Sequence, residues 1–205
     1  VAREVILFCG VHFMAETSAL LSPEKTVLLP DLGAGCPMAD MADAESVLEL
    51  RRKHPDAIAV CYVNSTAAVK ALCDVTCTSA NAHEVVSRIP KDRGVIFIPD
   101  QYLGKHVERL TGRELVLWPG YCPTHARLEL EQIEKARADY PEAAIMVHPE
   151  SKPEVCLAAD EVLSTGGMCR FAKETEKEIV VVGTEVGLLH RLKKENPQKR
   201  FIPLL

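Results

Sequence analysis

Ala57-Ile58-Ala59-Val60-Cys61-Tyr62-Val63-Asn64-Ser65 and Ala143-Ala144-Ile145-Met146-Val147-His148-Pro149-Glu150-Ser151 are two copies of one pattern. Each is a short apolar run that gives way to polar side chains. Each follows a long polar helical stretch closed by a proline and an acid, His54-Pro55-Asp56 in one copy and Tyr140-Pro141-Glu142 in the other. The runs are apolar on both faces of an extended chain, the pattern of a strand in a parallel sheet covered by helices on both sides. The likeness continues downstream. Val75-Thr76-Cys77-Thr78-Ser79-Ala80-Asn81 matches Glu161-Val162-Leu163-Ser164-Thr165-Gly166-Gly167. Val95-Ile96-Phe97-Ile98-Pro99-Asp100-Gln101 matches Val180-Val181-Val182-Gly183-Thr184-Glu185, and Pro119 matches Pro203. A period of roughly 85 residues marks an internal repeat.

Strands are expected at 5–9, 26–29, 57–62, 75–78, 95–98, 114–117, 143–147, 161–164, 179–182 and 200–202. Helices are expected at 14–21, 43–54, 66–72, 80–89, 102–111, 126–139, 153–158, 168–175 and 186–196. Strand–helix alternation throughout means an α/β fold with right-handed crossovers. Each repeat is a three-layer (αβα) unit around a short four-stranded parallel sheet. The units divide as 42–124 and 125–205, and residues 1–41 match the second half of an earlier unit. On that count the fold is a pseudo-threefold repeat with its site where the units meet, and the chain is an incomplete one.

At 205 residues and 47% apolar, the chain can bury a sizeable core. A formal charge of −5 and the lack of a basic run argue against nucleic acid. No apolar run approaches the roughly 18–20 residues that cross a bilayer, so no membrane partner is expected. The eight cysteines, in a chain this regular, suit a reduced cytoplasmic protein with some thiols on metal rather than a disulfide scaffold.

Polar residues collect where strands end, the ligand-binding side of parallel α/β sheets. Tyr62 and Asn64 follow one strand and Thr78 and Ser79 the next. His148 and Glu150, then Ser164 and Thr165, occupy the equivalent positions one repeat later. Hydroxyls, an amide and free helix N–H groups suit a carboxylate or phosphate, although Ser79, Ser164 and Thr165 read equally as helix N-caps. His148 and Glu150 read as an acid–base pair on one face, or as an ordinary turn around Pro149. Asp100, Gln101, Thr184 and Glu185 end other strands.

Two thiols stand apart. Cys36 and Cys122 each follow a strand-ending proline, in Pro30-Asp31-Leu32-Gly33-Ala34-Gly35-Cys36 and Pro119-Gly120-Tyr121-Cys122. Cys9, Cys61, Cys73, Cys77, Cys156 and Cys169 lie in or beside apolar elements and read as small hydrophobes. Two loop thiols do not close a zinc site, and Cys122-x-x-His125 alone is a poor metal signature. One cysteine from each of three units would hold a 4Fe–4S cluster with one iron open.

The sequence closely resembles the quinolinate synthase (quinolinate synthetase A) family. The resemblance lies in Cys9-Gly10-Val11-His12-Phe13-Met14-Ala15-Glu16-Thr17, Ala34-Gly35-Cys36, Tyr62-Val63-Asn64-Ser65-Thr66, Thr78-Ser79-Ala80-Asn81, Pro99-Asp100-Gln101-Tyr102-Leu103-Gly104, Trp118-Pro119-Gly120-Tyr121-Cys122, His148-Pro149-Glu150-Ser151 and Gly183-Thr184-Glu185-Val186-Gly187. It implies condensation of iminoaspartate with dihydroxyacetone phosphate to quinolinate, phosphate and water in de novo NAD biosynthesis. It implies a 4Fe–4S cluster as Lewis acid, with Cys36 and Cys122 as two ligands and a third expected beyond residue 205. Tyr62, Asn64, Ser79, His148, Ser164 and Thr165 would bind substrate. Glu150, with Tyr62 and His148, would carry the proton transfers. A functional link to an aspartate-oxidising enzyme follows, and the isolated chain is expected to be inactive. The competing expectation is a non-catalytic α/β module that binds small carboxylates or phosphates.

Overall fold

The computed structural model describes residues 3–204. The chain begins with β1 (Val5–Leu7), α1 (His12–Leu21), β2 (Thr26–Leu28) and the short α2 (Pro37–Asp40). A first full set follows: α3 (Ala44–Lys53), β3 (Ile58–Tyr62), α4 (Ala67–Lys70), β4 (Val75–Cys77), α5 (Ala82–Ser87), β5 (Val95–Ile98), α6 (Gln101–Thr111) and β6 (Val116–Leu117). The next stretch is α7 (Pro123–Ala126), α8 (Leu130–Asp139), β7 (Ala144–Val147), α9 (Pro153–Ala158) and β8 (Glu161–Val162). It closes with α10 (Thr165–Glu174), β9 (Ile179–Gly183), α11 (Gly187–Glu195) and β10 (Arg200–Pro203).

All strand pairings are parallel among the described residues. One sheet has the order β4-β3-β5-β6 and another the matching order β8-β7-β9-β10. The registers match too: Ile58 faces Val95 as Ala144 faces Val180. β1 and β2 pair alone, Val5 beside Thr26, as β5 pairs with β6 and β9 with β10. The fold is therefore α/β built from repeated short parallel sheets.

Strand alternation explains the layers. Val60 and Tyr62 of β3 enter one core with Val95 and Phe97, while Ala59 and Cys61 enter another with Ile96 and Ile98. In the next sheet Ile145 and Val147 pack on one side, and Met146 packs with Val180 and Val182 on the other. With helices on both faces, these strands have no polar side to spend.

The repeat extends to polar pairing. Asp74 Oδ2 accepts the Ala59 amide at 2.8 Å, and Arg51 reaches across to Asp74 and to the Leu72 carbonyl at 2.9 Å. Asp160 Oδ2 accepts the Ile145 amide at 2.8 Å, and Arg137 reaches Asp160 and the Ala158 carbonyl at 2.7 Å. These clasps tie the helix before each sheet's first strand to the turn before its edge strand. A second pair ties helix ends to the following turns: Arg113 donates to the Val86 and Ile89 carbonyls, and Lys199 to those of Ala172 and Thr175.

Three features depart from the sequence expectation. The helix expected over 126–139 is two helices, because Glu129 has an extended backbone and its amide is taken by the Gln132 side chain at 2.8 Å. The loops after Cys36 and Cys122 are the short helices α2 and α7, with each cysteine at the N-cap and a proline at the first position. Cys9, expected beside the core, is exposed.

Gly120 positions the second of these turns. Its carbonyl accepts the Gln101 amide at 2.8 Å, and a Cβ there would stand 2.5 Å from the Pro99 carbonyl oxygen. In α10, by contrast, a Cβ on Gly166 would meet nothing within 4 Å. Gly120→Ala is expected to lower stability by about 1–3 kcal/mol, because backbone must move. Gly166→Ala should be neutral or stabilising by up to about 1 kcal/mol. Urea unfolding of both variants checks the contrast.

Candidate active site

The loops that leave the carboxyl ends of β3, β5, β7 and β9 converge, and the shared centre is Glu150. Its side chain is buried, 2% exposed, between the two four-stranded sheets. Tyr62, the last residue of β3, donates its hydroxyl to Oε1 at 2.6 Å. Asn64 donates to the Tyr62 hydroxyl at 3.0 Å. His125 of α7 places Nδ1 2.9 Å from Oε2. His148 Nδ1 lies 3.9 Å from the same oxygen and accepts the Glu150 amide at 3.4 Å. The His125 and His148 rings stack, with centroids 4.5 Å apart. His125 Nε2 is 2.9 Å from the Thr184 hydroxyl at the end of β9.

Burial opposes charge on Glu150, yet the hydrogen bond from His125, the electrostatic pull of His148 and His125 and the hydrogen bond from Tyr62 hold its carboxyl down to about 2. His148 is pushed down to about 4 by burial and the neighbouring His125, so it is neutral at pH 7. Burial and that carboxylate drive the Tyr62 phenol well up, against a hydrogen bond from Ser79. Asp100 is raised to about 7 by burial and by Glu150. It accepts the Leu103 amide at 2.8 Å and the Cys122 amide at 3.1 Å.

The two thiols have matching surroundings. The amides of Met38 and Ala39 face the Cys36 sulfur, and those of Thr124 and His125 face Cys122. Burial nevertheless lifts both thiols, Cys122 to about 12, and the charge of Glu150 adds to the rise. Cys122 also lifts Cys36, so the sulfurs are close enough to sense each other. Two half-buried thiols and a buried carboxylate, with helix N–H groups on each sulfur, are a donor set that a cationic metal group would relieve. Ligand atoms of Cys122, His125 and Glu150 lie within 4.8 Å of one another. Cys122, His125 and Glu150 could together hold a metal ion, with the Cys36 thiol close by.

The structure brings Tyr62, Asn64, His148 and Glu150 together, with Ser79 on Tyr62 and Cys36 and Cys122 at the margin. Ser164 caps α10, accepting the Gly167 amide at 3.2 Å, and Thr165 opens that helix exposed to solvent. Neither shares a hydrogen bond with the Glu150 set among the described residues. Ser79 caps nothing; the N-cap of α5 is Asn81. Sequence reasoning named Asp100 and Thr184 only among the strand-end polar residues, and set His125 aside as a poor metal signature. For His125 the available signal was its place three residues after the capping cysteine.

Site and fold define a class: parallel α/β repeats with a buried carboxylate beside paired thiols at the strand ends. Residues 1–205 match the family described as Quinolinate synthetase A protein, and the chain belongs to that family. It is 55% identical over 204 residues to a quinolinate synthase of Dehalococcoides mccartyi, covering 100% of this chain and 67% of that protein. It is 54% identical over 210 residues to one of Thermus thermophilus, covering 98% and 66%. One of Geobacter metallireducens is 50% identical over 201 residues, covering 98% and 66%. The chain thus spans about two thirds of the length of these curated relatives.

Thiol reactivity follows from this geometry. At pH 8 iodoacetamide should label exposed Cys9 first, and Cys122 at least tenfold more slowly, because a thiol raised to about 12 holds almost no thiolate. Peptide mass mapping over time checks this; comparable rates would contradict it.

Proposed function

We propose that the protein is a quinolinate synthase, which condenses iminoaspartate with dihydroxyacetone phosphate to quinolinate, phosphate and water in NAD biosynthesis. The observation that carries the reading is a buried, hydrogen-bonded Glu150 carboxylate facing Tyr62 at 2.6 Å, next to Cys36 and Cys122. Residues 42–124 and 125–205 act as two α/β units that each contribute one side of the site, and 1–41 belong to another.

Closing a pyridine ring from these substrates requires repeated proton removal and delivery. Glu150, ionised and shielded from water, takes the proton, and Tyr62 relays it through its hydroxyl. Asn64 and Ser79 orient Tyr62 and reach substrate carboxylate or phosphate. His148, neutral, donates a hydrogen bond rather than a charge. Ser164 and Thr165 offer a hydroxyl and free amides at the N-terminus of α10 to an anionic group. Cys36 and Cys122 would hold two corners of a 4Fe–4S cluster. When bound, its open iron supplies Lewis-acid polarisation of a substrate oxygen.

Iminoaspartate hydrolyses readily in water, so an aspartate-oxidising enzyme is the expected supplier. Eight free cysteines suit a reducing cytoplasm. Among the described residues no helix is long and apolar enough to cross a membrane.

In the full-length protein under anaerobic conditions, Glu150→Gln is expected to lower kcat for quinolinate at least about 100-fold with bound iron retained. Cys122→Ser should lose both bound iron and activity. A Glu150→Gln protein at wild-type rate would contradict the assignment. Unchanged iron and no quinolinate from any form would favour the carboxylate-binding module instead.

A further inference from the structure

The cysteine turns α2 and α7 are copies, yet their third helical positions differ. Cys36-Pro37-Met38-Ala39 places a buried alanine where Cys122-Pro123-Thr124-His125 places a buried histidine. The first hydrogen bond of each turn is the same: the Asp40 amide returns to the Cys36 carbonyl at 3.0 Å, and the Ala126 amide to the Cys122 carbonyl at 2.9 Å. The turn therefore folds without an imidazole, and His125 answers to some other need.

Each part of the His125 ring is engaged. Nδ1 sits 2.9 Å from Glu150 Oε2 and 3.1 Å from Cys122 Sγ. Nε2 sits 2.9 Å from the Thr184 hydroxyl, and one ring face stacks on His148. Glu150 Oε2 is a carboxylate acceptor, so Nδ1 carries the hydrogen. The Thr184 hydroxyl can donate to or accept from Nε2, so it anchors the far side of the ring while Nδ1 faces Glu150. Thr184 is itself 3% exposed, at the end of β9, so the chain of contacts is anchored in the sheet.

We propose that His125 is a positioning residue: with Thr184 behind it, it fixes the Glu150 carboxylate so that Oε1 faces Tyr62. This rests on the reading of Glu150 as the acid–base group. Oε2 is restrained by His125, which leaves Oε1 with Tyr62 to meet the substrate. Because the same ring touches Cys122, it also sets the distance between the carboxylate and the thiol.

The test compares His125→Ala, His125→Asn and Thr184→Val in the full-length protein. The alanine copies Ala39 of the sister turn. The asparagine keeps an N–H where Nδ1 lies. His125→Ala is expected to lower kcat for quinolinate about 10–100-fold, with KM, bound iron and Tm little changed. His125→Asn should recover most of the loss, and Thr184→Val should show a smaller loss. A wild-type kcat in His125→Ala, a kcat that falls only in step with iron or Tm, or no rescue by asparagine would overturn the proposal. Crystal structures of the same variants give an answer independent of turnover. In His125→Ala the carboxylate should rotate away from Tyr62; a Tyr62–Glu150 contact still at the native 2.6 Å overturns the proposal. If wild-type protein makes no quinolinate, the functional reading fails while this structural comparison still decides the role of His125.

Discussion

The site depends on one buried carboxylate held from two sides. Glu150 follows β7 of one sheet, and its partner Tyr62 ends β3 of the other. An uncompensated carboxylate in that position would cost several kcal/mol. The 2.6 Å contact to Tyr62 and the 2.9 Å contact to His125 both stabilise its charge, and the first also joins the two sheets at their carboxyl ends. The Tyr62 contact spans the two sheets, so the interface and the proposed chemistry share that bond.

Repetition explains how such a site arises. The paired clasps Arg51–Asp74 and Arg137–Asp160, and the carbonyl grips of Arg113 and Lys199, recur in both four-stranded sheets. They stabilise the scaffold on the side of the strand N-termini. At the opposite ends the copies diverge. Tyr62 and Asn64 stand where His148 and Glu150 stand one repeat later, and Ala39 stands where His125 does. The scaffold is kept constant, and specialisation is confined to the residues that meet in the middle.

The same division governs what could be read from sequence. Each of the ten described strands falls within or next to an expected segment, because runs such as Ile96-Phe97-Ile98 are apolar on both faces and have no alternative reading. The short helices after Cys36 and Cys122 were illegible because four residues carry no period; only the Cys-Pro pair at their start hints at a cap. Glu150, His148 and Tyr62 were visible as polar residues that end apolar strands. His125 was not, because its partners Glu150 and Thr184 reach it only through the sheet topology. Ser79 looked like a cap and turned out to lie against Tyr62, a contact that no local pattern encodes.

The charge on Glu150 is the most direct point at which this account can fail. In the unfolded chain its carboxyl titrates near 4.5, and in the folded protein its hydrogen bonds and the neighbouring histidines lower it to about 2. Its contribution to stability is thus complete above the unfolded value and is lost as pH falls through the folded one. Carbon-13 NMR of the Glu150 carboxyl, assigned by comparison with Glu150→Gln, measures this in the folded protein. The account predicts an ionised signal that stays flat from pH 7 to about 4. A carboxyl that titrates at or above the ordinary glutamate range would contradict it.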